Sequence, residues 1–190
     1  MADNDKAGLL NLTIAEFNAL RGEIKDRSAS AYTLLNINIT ATTAIAGFVL
    51  SGNASPILLL ILPLLSPALG MLFVDHSYNI DNLGSYIKSR LRPMAVAAAG
   101  HSSVLGYEDF IDAYEQKKLL RFLPLGLPLT LLFAGPPVAG LLFSWGQIRD
   151  GWALALWIGG LLMFIAFVTL WFNFLCAPFR SSKTVRKQPR

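Results

Sequence analysis

Residues 56–74 read PILLLILPLLSPALGMLFV, without one charged side chain. A helix of about 20 apolar residues crosses the roughly 30 Å hydrocarbon core of a bilayer, and this stretch meets that length. Three others do the same, at residues 32–50, 119–144 and 152–177. Together they set the fold class: an all-α integral membrane protein, a four-transmembrane-helix bundle. The lipid bilayer is the solvent in which the remaining residues have to be read.

Composition agrees. Charged residues make up 15% and hydrophobic residues 54%, whereas a water-soluble domain carries about 25% charged residues. Between the spans lie polar segments at 1–31, 51–55, 75–118, 145–151 and 178–190, none offering a large core of its own. The chain therefore divides into a cytoplasmic amphipathic helix at 1–31 and a transmembrane hairpin at 32–74. A cytoplasmic helical linker region follows at 75–118, then a second transmembrane hairpin at 119–177 and a basic cytoplasmic tail at 178–190. The 31 residues ahead of the first span are too polar for a signal peptide, so that span is expected to be retained. The single cysteine, Cys176, excludes an intrachain disulfide and reads as apolar filler.

The basic residues orient the bundle. Lys6, Arg21, Lys25 and Arg27 precede span one. Lys88, Arg90, Arg92, Lys117, Lys118 and Arg121 lie between spans two and three, and Arg180, Lys183, Arg186, Lys187 and Arg190 follow span four. Only Arg149 of the 16 falls on the other side. The positive-inside rule then places both termini in the cytoplasm, and the protein is expected in the cell inner membrane. The basic balance follows from topology, and no nucleic-acid partner is expected. Trp145 and Trp152 bracket the outer loop at headgroup depth.

Several local signals refine this plan. Thr13 to Glu16 has capping-box spacing, with Leu12 and Phe17 as a staple, so a helix is expected to start there after a frayed 1–11. Ile14, Phe17, Leu20 and Ile24 form one stripe, and Glu23 and Arg27 an i,i+4 pair. The helix packs on a partner helix or lies on the membrane surface. A second stripe, Ile80, Leu83, Ile87 and Leu91, carries span two into water until Pro93, which disfavours helix at Arg92. It is the natural partner of the first amphipathic helix. Residues 94–106 read as a linker with a helical turn at 95–99, and a further helix is expected from Tyr107. In span two Ser66 and Gly70 allow close helix approach, as do Gly151, Ala155 and Gly159 in span four. Pro124, Pro128, Pro136 and Pro137 are expected to break span three, as at a substrate site or as ordinary kinks.

The candidate site residues are polar groups at membrane depth. Asn36, Asn38, Thr40 and Thr43 in span one, beside Thr42, and Asn173 in span four need hydrogen-bonding partners there. They are expected at a helix interface or along a pore. Asp75 and His76 are expected at the interface where span two leaves the membrane. No Asp, Glu, Lys, Arg or His falls within 32–50, 56–73, 122–144 or 152–177. A proton-driven carrier would show one. The chain has no HExxH, GxSxG, P-loop or dinucleotide-binding glycine pattern. No catalytic residue, cofactor or metal site is expected, and the protein reads as non-enzymatic.

Two segments carry a resemblance. Glu16-Phe17-Asn18-Ala19-Leu20-Arg21-Gly22-Glu23-Ile24-Lys25-Asp26-Arg27 resembles the helix leading into the first span of many small, uncharacterised bacterial integral membrane proteins. Asp75-His76, Ile80, Leu83-Gly84, Tyr86-Ile87 and Leu91-Arg92-Pro93 are similar to the segment after their second span. The helix–hairpin–helix layout also resembles two-transmembrane effectors of nucleotide-signalled defence systems, from which this chain differs by two additional spans. The resemblance implies an oligomeric, membrane-permeabilising protein and assigns no residue roles. The expected function is thus helix association in a homo-oligomer or membrane complex, including an oligomeric pore or channel. The alternative is a membrane anchor or accessory subunit docking a protein through its cytoplasmic helices.

Overall fold

A computed structural model describes residues 2–101 and 118–184. Among the described residues every regular element is a helix: α1 (Ala2–Leu50), α2 (Leu62–Tyr86), α3 (Arg92–Ala99), α4 (Lys118–Ser144) and α5 (Gly151–Thr184). Four helical runs are long and apolar enough to cross a membrane, at Ala7–Leu50, Pro56–Ala99, Gly126–Ser144 and Gly151–Leu175. The expected helix from Tyr107 lies outside the described residues.

The chain forms two compact units. One comprises Met1–Ser30 and His76–Leu125, the other Ala31–Asp75 and Gly126–Arg190. In the first, the capping-box expectation is corrected. α1 already runs from Ala2, so Thr13 is interior to the helix, and its Oγ1 donates to Leu9 O at 2.8 Å. A cap needs extended backbone at Thr13, and the preceding turns deny it. The expected fraying is absent from the described part of 1–11. Glu23 and Arg27 do pair, at 2.8 Å.

The expected stop at Arg92 is also corrected. Pro93 has no N–H for Ser89 O, and its ring collides with that carbonyl in a regular helix. The chain widens instead into a π-turn, Ile87–Leu91, in which Arg92 N–H reaches back to Ile87 O. The wider turn accommodates the proline without ending the helix. Ile87, Leu91 and Ala95 continue as one buried stripe. α3 ends where Gly100 adopts φ +70°, with its N–H on Val96 O, a left-handed C-terminal cap.

In the second unit, the same proline chemistry shapes the start of the second apolar run. Pro63 cannot donate to Leu59 O, and Leu62 N–H takes that carbonyl. The result is a 3₁₀ turn, Pro56–Ile61, capped by the Ser55 hydroxyl, before α2 begins. The α4 helix holds the second correction of this kind. It runs unbroken from Lys118 to Ser144, although Pro124, Pro128, Pro136 and Pro137 all lie in it. The core of the unit gathers Leu69, Val74, Phe133, Phe167 and Trp171.

Candidate functional site

The tandem Pro136-Pro137 sets the geometry of the second unit. Each lacks an N–H, so Leu132 O and Phe133 O lose the donors a regular helix supplies. Two other helices replace them. Asn38 of α1 donates Nδ2 to Leu132 O at 2.9 Å, and Ser66 of α2 donates Oγ to Phe133 O at 3.1 Å. Both side chains are fully buried. A carbonyl shut off from water without a donor costs about 1–3 kcal/mol, so these two bonds, one half-buried and one buried, support α4 where it passes Pro136 and Pro137. They also fix the register of three helices against one another.

Close contacts reinforce that register. Pro63 lies between two glycines: a Cβ added to Gly140 would meet Leu59 O at 2.6 Å and Pro63 Cδ at 2.8 Å. One added to Gly160 would meet Pro63 Cβ at 2.8 Å. Gly70 abuts the Phe167 ring, so the Ser66–Gly70 pair allows the approach read from its spacing. The small-residue face read for span four is corrected: it is turned well away from the packed side of the helix. Gly151 and Ala155 are exposed, and the Cβ position of Gly159 is 4.0 Å from Leu64. The packed face carries Ala153, Gly160, Phe167 and Trp171.

Aromatic groups fill the space beside the prolines. Phe133 stands 5.4 Å from Phe73 and 6.2 Å from both Phe167 and Trp171, centroid to centroid and tilted. Such pairs stabilise beyond their buried area. Trp171 Nε1 donates to Thr130 Oγ1, which donates to Gly126 O. Trp157 Nε1 donates to Leu141 O near the end of α4, and its ring lies 5.0 Å from that of Trp145.

The residues singled out from the sequence do not converge on one point. Asn38 alone of the span-one set is fully buried and bonded to another helix. Its Oδ1, like Thr42 Oγ1, is a buried oxygen without a hydrogen-bond partner among the described residues. Asn36, Thr40 and Thr43 are exposed on the opposite side of α1. Asn173 is exposed too and bonds within its own helix, to Thr169 O. Asp75 is exposed and His76 half-buried, both inside α2. His76 Nδ1 has no partner among the described residues. Pro63 reads from the sequence as a bend and Gly140 as part of an irregular span three; their close packing, Gly160 and the donor role of Ser66 are not legible there. The signal for the last was the proline pair itself, which announces two carbonyls in need of donors.

In the other unit, the Tyr86 hydroxyl donates to Glu16 Oε1 at 2.8 Å. This bond ties the first amphipathic helix to the continuation of α2. Tyr86 lies beyond the apolar stretch ending at Val74. Its phenol is held above its ordinary range by the hydrogen bond and the Glu16 charge, while Arg90 pulls the other way. A raised phenol favours the bonded state below the ordinary tyrosine pKa and loses that contribution as pH climbs through the raised value. Tyr86→Phe should accelerate amide exchange around Glu16 at pH 7. Wild type should reach the same faster exchange, after correction for intrinsic rates, only at strongly alkaline pH. Unchanged protection in Tyr86→Phe would mean that the bond does not hold the helices together.

Among the described residues no group of three or more His, Cys, Asp or Glu side chains could hold a metal ion. The hydrogen bonds of Asn38, Ser66, Trp157 and Trp171 run between neutral groups. What the arrangement does is hold helices in register. Searches of protein families, curated proteins and solved structures return no match to this chain.

Proposed function

We propose that this chain is a non-enzymatic, four-span inner-membrane protein, with both termini in the cytoplasm, that works by associating with further helices as an oligomer. One observation carries the reading. The most apolar window of the second spanning run is 50% buried within the chain, whereas that of α1 is 6% buried. A single copy packs one side of its first span and leaves the other side bare, and that span is the one rich in Asn and Thr. Polar side chains facing lipid find no water to satisfy them, so a second protein surface is the natural cover.

The pore version of this reading moves between copies. The buried polar groups Asn38 and Ser66 are engaged with the α4 backbone, which leaves Asn36, Thr40 and Thr43 as the polar groups free to line a path. Purified protein in liposomes should migrate as a multiple of the single-chain mass after mild extraction, and the pore version should release a small trapped dye. A uniform single-copy mass across bilayer dilutions would end the association reading, and intact vesicles would end the pore version alone.

A second reading has its own support. Leu9, Leu12 and Ile14 are exposed on the first amphipathic helix, Leu12 at 71%. Exposed apolar groups there suit a membrane anchor or accessory subunit whose cytoplasmic helices dock a protein.

A further inference from the structure

Asn36, Thr40, Thr43 and Gly47 recur at four-, three- and four-residue steps along α1. At 3.6 residues per turn they fall within an arc of about 60°. All four are exposed, and a Cβ added to Gly47 would meet nothing within 4 Å. Among the described residues no hydrogen bond reaches the side chains of Asn36, Thr40 or Thr43. Ala31, Leu34, Asn38, Thr42, Ile45 and Val49 make the packed side of the same helix, turned away from this strip. The two asparagines, two residues apart, therefore face nearly opposite directions: one is bonded inside the unit, the other is left outside.

We infer that Asn36, Thr40, Thr43 and Gly47 form a self-association seam through which α1 packs in parallel against α1 of a second copy of this chain. The inference rests on the membrane reading above and names the surface that reading requires. A carboxamide is both donor and acceptor, so Asn36 opposite Asn36 can give one hydrogen bond and take one. The two hydroxyl rows match in the same way. Copies of one chain insert with the same orientation, which puts each seam residue at the depth of its twin across a two-fold axis along the membrane normal. A foreign helix would need a matching polar group at each of those depths, whereas a second copy carries the set by construction. The alternating spacing is that of a left-handed crossing near 20°. Gly47 and the short threonines let the backbones approach closely.

The test uses the full chain in native membranes with Cys176→Ser as background. Single cysteines are introduced at Asn36, Thr40 and Thr43 on the seam, and at Ile37 and Phe48 off it. Oxidation should yield a dimer of this chain from the first three and little from the last two. Asn36→Leu should weaken bilayer dimerisation measured by dilution about 3- to 15-fold, and Asn36→Gln should recover most of it. Asn36 is exposed, so neither change should disturb the fold of a single copy. Crosslinks chiefly from Ile37 or Phe48, capture of a different protein at Asn36, or unaltered dimerisation of Asn36→Leu would each overturn the seam while leaving association in place. A wild-type protein that stays monomeric on dilution would overturn association itself.

Discussion

Gly160→Ala should destabilise the folded protein by about 1–3 kcal/mol, the usual cost of forcing one extra carbon into a filled core. The neighbouring change Gly159→Ala should cost nothing measurable. The two glycines share a helix, a depth and a chemistry, and differ only in what a Cβ would meet. At Gly160 it meets Pro63 Cβ at 2.8 Å and Cγ at 2.9 Å; at Gly159 the nearest atom is a leucine methyl at 4.0 Å. A proline ring has no rotamer to retreat into, so the strain passes to the backbone. Gly140→Ala should be at least as costly as Gly160→Ala, because its nearest neighbour, Leu59 O at 2.6 Å, is backbone already. At Gly159 the gain in helix propensity, up to about 1 kcal/mol, should show instead. Equilibrium unfolding in bicelles would measure all three. Equal losses at Gly159 and Gly160 would mean that Pro63 is not wedged between α4 and α5 as described.

That contrast shows where sequence reading stops. Hydropathy marked all four apolar runs, because a helix that must face lipid has few other compositions open to it. Local pairs within one helix, such as Glu23 with Arg27, were legible for the same reason: both partners lie in one short window. Which glycine of Gly159-Gly160 faces a neighbour depends on helix rotation, and one position is worth 100° of it. The spacing of Gly151, Ala155 and Gly159 looked regular and pointed the wrong way. Thr13 matched a cap because the motif tests three following residues and is blind to the turns that precede it. Asn36 and Asn38 could be flagged together as polar groups in an apolar run. Only the packed side of α1 separates one from the other.

The prolines of α4 were read as a break for a similar reason, and they lead to the second large effect. Asn38→Ala should destabilise the protein by about 1–3 kcal/mol, since it leaves Leu132 O buried without a donor. If Asn38 serves the carbonyl that Pro136 sets free, the loss should shrink when Pro136 is changed as well. Pro136→Ala restores a backbone N–H four residues after Leu132, and that N–H can take the carbonyl inside α4. The double-mutant cycle between Asn38→Ala and Pro136→Ala should therefore show a coupling of about 0.5–1.5 kcal/mol, with the double mutant more stable than the sum of the single changes. Ser66→Ala and Pro137→Ala form the parallel cycle through Phe133 O. Crossed cycles, Asn38 with Pro137 and Ser66 with Pro136, should couple more weakly, because each donor reaches only one of the two carbonyls. Strict additivity in both direct cycles would break the link between donors and prolines. Asn38 and Ser66 would then be buried polar groups whose bonds to α4 do not depend on its missing N–H groups. Coupling in the direct cycles and not in the crossed ones would mean that α4 stays helical through Pro136 and Pro137 because α1 and α2 lend it two hydrogen bonds.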